Sequence, residues 1–101
     1  DGFESDTNRL VGEISAALTA RKYEAVRDAA HALKGGAASV GATQLTQLAR
    51  RLEQSAPESL RIKSAQFIEE LLKTSNFTLD LLKRHLNGTL EQNDSSTTQN
   101  R

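Results

Sequence analysis

Between Ala30 and Gly41 the chain sets His31, Lys34 and the adjacent glycines Gly35 and Gly36 within a few positions of one another. An imidazole can act as a nucleophile through one ring nitrogen while the other is held by a partner. A cation one helical turn away can stabilise negative charge building up beside it. The surrounding residues have the periodicity of a helix, and each glycine in a helix interior costs about 1 kcal/mol relative to alanine. Tolerating two together beside a histidine implies that something approaches the chain closely there. At about 100° per residue, Arg27, Lys34, Gly35 and Ala38 fall within about 60° of His31 on the helical wheel. Val26, Ala29, Leu33, Gly36, Ala37 and Val40 lie on the other side and are the expected core face. Ser39 has no base at a usable spacing and reads as a small packing residue.

These residues must be held by helices, because the chain from Asp6 to about Asn87 has helical periodicity and no stretch alternates like a strand. A first helix over about 5–20 would bury Leu10, Val11, Ile14, Ala17 and Leu18. The histidine helix follows from Tyr23 to Val40, with Gly41 placed to end it in a left-handed conformation. A third helix from Ala42 or Thr43 to Gln54 would bury Leu45, Leu48, Ala49 and Leu52. Ser55-Ala56-Pro57 breaks it, and Pro57 suits the first turn of a fourth helix running to about Leu86. In that helix Ala65, Ile68, Leu72, Ser75, Leu79, Leu82 and Leu86 form the expected seam, with a kink or split at Thr74-Ser75-Asn76. The fold class is therefore all-α, an antiparallel four-helix bundle over residues 1–87, followed by a disordered polar tail over 88–101. His85 is expected at the bundle edge, far from His31, so the two histidines do not make a metal site.

A hairpin of the second and third helices centred near Ala42 sets His31 level with Glu53 and Lys34 level with Arg50. It likewise pairs Gly35 with Ala49 and Ala38 with Thr46. A carboxylate at Glu53 would accept from Nδ1–H and leave the lone pair of Nε2 pointing outward.

Composition narrows the partners. Thirteen lysines and arginines balance thirteen aspartates and glutamates, so no net field favours nucleic acid or an anionic membrane. Cysteine is absent, which excludes disulfides and thiolate metal sites. No apolar run reaches the length of a membrane span. No phosphate-binding glycine loop of a nucleotide-hydrolysing or kinase type is present. The chain opens on Asp1 rather than methionine and is expected to be a piece of a longer protein.

The run His31-Ala32-Leu33-Lys34-Gly35, followed by Ala38-Ser39, Gly41, Leu45, Leu48 and Leu52, resembles the signature of histidine-containing phosphotransfer (HPt) domains. The resemblance spans residues 10 to 87 or so. It implies that His31 is the phosphoacceptor, that Lys34 stabilises phosphoryl charge, and that Glu53 is the Nδ1 partner. Many relatives carry glutamine at that last position, and glutamate is known from the chemotaxis-kinase branch. Gly35 would leave room for a docked receiver domain, with Arg27, Ala38 and Arg50 around it. The resemblance also implies a phosphorelay in which receiver aspartates donate and accept the phosphoryl group, in cis or in trans. Mg²⁺ would come from the receiver, and the chain would hold no cofactor or metal of its own. It would not phosphorylate itself from ATP. Such domains often form the C-terminal module of bacterial hybrid sensor kinases. That context implies a monomeric, cytoplasmic domain of a parent anchored in the inner membrane. The alternative is a docking module of the same fold whose histidine is incidental.

Overall fold

The computed structural model describes residues 2–85 in full and, beyond them, only the course of the last helix to Thr98. The disordered tail expected over 88–101 lies outside the residues described in full. Five helices follow in order: α1 (Gly2–Thr19), α2 (Tyr23–Ser39), α3 (Thr43–Gln54), α4 (Pro57–Ile62) and α5 (Ser64–Thr98). Among the described residues there is no strand. Helices α1, α2, α3 and α5 close a ring in which each packs on two others, and α4 is a short segment leading into α5. The chain is an all-α helical bundle. No helix among the described residues is long and apolar enough to cross a membrane.

The core follows from helical spacing. Ile14 and Leu18 of α1, Val26 and Leu33 of α2, Leu45 and Leu52 of α3, Leu60 of α4 and Leu71 of α5 are fully buried. Burying each of these side chains contributes about 1.5–3 kcal/mol. The expected faces of α1 and α3 are the buried ones, joined by Thr7. In α2 the buried residues are Val26, Ala29, Ala30, Leu33 and Ala37. Val40, expected in the core, is instead 41% exposed, because it caps α2 where the chain turns away.

The two inter-helix turns before and after α2 share one geometry. Gly41, at φ +74°, donates its N–H to Ala38 O, and Ala42 donates to Ala37 O. Arg21, at φ +60°, donates to Leu18 O, and Lys22 donates to Ala17 O. Both are Schellman endings, in which a left-handed residue lets the last carbonyls find partners. Glycine fills that position after α2 and arginine fills it after α1, where the left-handed conformation costs about 1 kcal/mol. The tight turn at Gly41 keeps α2 and α3 adjacent and in register, which positions the site.

The last part of the chain departs from expectation in two ways. Pro57 does open a helix, but that helix ends at Ile62, and α5 starts after the single non-helical residue Lys63. No break occurs at Thr74-Ser75-Asn76. There the Ser75 hydroxyl donates to Leu72 O within the helix, so its polarity is satisfied without disturbing the backbone. The seam is also rotated by about one residue: Phe67, Leu71, Ser75, Thr78 and Leu79 are buried. Ala65 is exposed, Leu72 is 49% exposed, Ile68 and Leu82 are half-buried, and Leu86 lies outside the residues described in full. The rotation follows from α5 having to face α1 and α3 at once, which centres its stripe on Leu71 and Thr78. The Phe67 ring fills the α3 contact, with the Arg51 guanidinium 5.4 Å above its centroid.

Candidate functional site

His31 stands at the middle of α2 on the face turned away from the core, and its side chain is 69% exposed. Across the hairpin, Glu53 occupies the last turn of α3 and is only one-fifth exposed. The Nδ1 atom of His31 lies 2.7 Å from Oε2 of Glu53. This is the partner that the hairpin register calls for, reached because the turn at Gly41 fixes how α3 runs back along α2.

Glu53 serves a second cation. Nζ of Lys34 lies 2.6 Å from its other oxygen, Oε1, as a close ion contact rather than an aligned hydrogen bond. Register alone sets Lys34 level with Arg50, but the flexible four-carbon stem leans back one turn toward the carboxylate. Lys34 first, and His31 after it, hold the Glu53 carboxyl below its usual range, against the partial desolvation that would raise it. A carboxylate in the last helical turn faces the negative end of the helix dipole, so the Lys34 ammonium and the N–H of His31 offset an otherwise unfavourable placement. An ionised carboxylate can only accept, so Nδ1 of His31 carries the hydrogen and donates it. In the neutral ring the lone pair then sits on Nε2, on the exposed side.

The glycines next to this nitrogen have no packing role within the chain. A Cβ added at Gly35 or Gly36 would meet no neighbour within 4 Å. Gly35 is exposed on the histidine face, and Gly36 is half-buried toward α1. Farther along the same hairpin, Ala38 and Arg50 line one shallow groove with Thr43 and Thr46. Arg27 is exposed one turn before His31 and has no ion-pair partner among the described residues. Arg50 is likewise exposed and does not pair with Glu53. His85 is exposed on α5, and no cluster of metal-ligating side chains occurs among the described residues.

The arrangement can carry out nucleophilic chemistry at a nitrogen: an oriented imidazole, a balancing carboxylate, a cation within a side chain's reach and an unobstructed approach. A comparison with curated proteins and another with solved structures each returned no match. The chain does match the Hpt domain family over residues 1–92, which takes in α1 to α4, α5 as far as residue 92 and every site residue named above. With an exposed, oriented histidine inside that match, the chain belongs to the Hpt domain family, whose members act in histidine phosphotransfer within phosphorelays.

Proposed function

We propose that His31 accepts a phosphoryl group from a receiver-domain aspartate and passes it to the aspartate of another receiver. The observation that carries this reading is the 2.7 Å contact of Nδ1 with Glu53, which leaves Nε2 free on a 69% exposed ring beside a glycine with open space around it. In the forward step the Nε2 lone pair attacks phosphorus in line with the aspartyl oxygen. The N–P bond forms as the O–P bond breaks, and the aspartate carboxylate leaves with the electron pair. Transition states of phosphoryl transfer are loose, so the work of the site is positioning and charge stabilisation.

Each residue has a part in that task. Glu53 accepts from Nδ1–H, fixes the ring orientation and balances the positive charge that the ring gains as the N–P bond forms. Lys34, one turn from His31, swings from Glu53 Oε1 to the phosphoryl oxygens. Gly35 clears the path for the receiver, and Arg27, Ala38 and Arg50 border the docking face. Mg²⁺ belongs to the receiver. By the same microscopic path the reaction runs backward, delivering the group to a second aspartate. The phosphorelay setting further suggests a hybrid sensor kinase as parent, with this domain on its cytoplasmic side.

The test is transfer from a Mg²⁺-loaded, phosphorylated receiver domain to the chain and to its His31→Gln variant. Acid-labile label on the wild type and none on the variant is the expected result. A variant that labels equally would move the phosphoacceptor elsewhere. Receivers that bind without transferring label would favour a docking module.

A further inference from the structure

The α3–α5 side of the bundle carries an apolar surface that the phosphotransfer reading does not use. Val40, Phe77 and Leu81 are 41%, 55% and 53% exposed. They line one groove together with Gly41, Ala42 and Leu82. On α5 charged residues flank the two apolar ones: Glu70, Lys73, Phe77, Asp80, Leu81 and Arg84 form one stripe, within about 100° of one another at helical spacing. The stripe lies beside the buried face of Phe67, Leu71 and Thr78, so no helix of the bundle covers it.

The order of charges along the stripe says what would fit. Phe77 is at its centre, with Glu70 seven residues before and Arg84 seven residues after. Lys73 precedes Phe77 by four positions and Asp80 follows it by three. Reversing the stripe about Phe77 therefore brings Glu70 opposite Arg84, and Lys73 opposite Asp80 to within one residue. A parallel, in-register copy would set each charge against its own kind. All four side chains are at least one-third exposed. Their existing partners are exposed too, in the Glu70–Arg51, Lys73–Glu69 and Arg84–Asp80 pairs. Exposed pairs of this sort contribute little and can be shared or exchanged.

We propose that this face binds a second copy of the chain through antiparallel packing of α5 on α5, so that the monomer the family resemblance implies is in equilibrium with a dimer. Phe77 then meets Phe77 of the second copy, flanked by Leu81 and Val40, and the charge order selects the orientation. Val40, Phe77 and Leu81 are few beside the roughly 20–30 residues a side of a standard stable interface, so the dimer is weak and reversible, dissociating on the order of 100 μM. His31 lies on the α2–α3 face and stays open in such a dimer, so the proposal does not depend on the phosphotransfer reading.

Sedimentation velocity of the full chain from about 10 μM to about 1 mM tests it. The wild type should pass from monomer to dimer over that range. Phe77→Asp, at an exposed position where folding is unaffected, should weaken association by about tenfold or more. Lys73→Glu should weaken it as well, and the charge swap Lys73→Glu with Asp80→Lys should restore it. A wild type that stays monomeric throughout, a dimer indifferent to Phe77→Asp, or a swap that fails to restore association overturns the proposal. Phosphoryl acceptance by Phe77→Asp should match the wild type. Its loss would assign the patch to the receiver instead, which also overturns the proposal.

Discussion

Replacing Gly35 and Gly36 by alanine, singly and together, measures how much stability the chain gives up to keep the surface beside His31 bare. Both residues lie inside α2, and a Cβ at either would meet no neighbour within 4 Å. Neither substitution therefore carries a steric penalty within the chain. What remains is the difference in helix propensity, about 0.5–1 kcal/mol in favour of each alanine. The double variant should gain about 1–2 kcal/mol, out of the 5–15 kcal/mol typical of a folded domain. For a domain of this size each kcal/mol raises the melting temperature by about 4–8 °C. Thermal and urea unfolding followed by circular dichroism read the gain directly.

The functional half of that prediction separates the two positions. Gly35 lies on the histidine face, so Gly35→Gln should keep most of the stability gain yet obstruct the receiver and slow phosphoryl transfer. Gly36 faces α1, and its alanine variant should gain stability with transfer close to wild type. If either alanine variant is less stable than the wild type, the glycines have a role within the fold and the reasoning fails. A Gly35→Gln variant that transfers at the wild-type rate would refute the argument from close approach.

Four further outcomes are expected. Lys34→Ala should slow transfer from a phosphorylated receiver by about tenfold without abolishing it, equivalent to about 1.4 kcal/mol of lost charge stabilisation at a partly solvated site; an unchanged rate removes Lys34 from the chemistry. Glu53 is held below its ordinary value of 4.5, so across that window the unfolded state binds more protons and stability rises with pH. Its contribution is complete above 4.5 and is lost as pH falls through the lowered folded-state value. Acid unfolding of Glu53→Gln should accordingly show a shallower pH dependence there, the residual slope including Glu58, which Arg61 also depresses. Arg21→Gly should stabilise the chain by about 1 kcal/mol by relieving a left-handed non-glycine residue, whereas Gly41→Ala should cost about as much; a destabilised Arg21→Gly or a stabilised Gly41→Ala would refute the shared-turn geometry. In α5, Leu71→Ala should cost about 2–4 kcal/mol and Leu72→Ala less than about 0.5 kcal/mol by urea unfolding, and the reverse ranking would restore the unrotated seam.

How much of this was legible in the residues depends on whether backbone or side chain decides the matter. The contact of His31 with Glu53 could be read from the register, because a glycine-ended helix, a short turn and two rigid helices leave the relative height of their residues little freedom. The ion contact of Lys34 with Glu53 could not. It depends on the rotamers of a long side chain, and the backbone levels point that lysine at Arg50. The rotation of α5 was illegible for a different reason. Leu71 and Leu72, like Phe67 and Ile68, are adjacent apolar residues, so two stripes one residue apart satisfy the helical period almost equally well. Only the simultaneous demand of α1 and α3 chooses between them. Phe77 and Leu81 are a separate matter. They lie on the side of α5 opposite Ile68 and Leu72, outside both readings of the stripe, and are 55% and 53% exposed. Rotating α5 from one stripe to the other would bury neither, so their exposure belongs to the helix itself and not to the choice of its packed face.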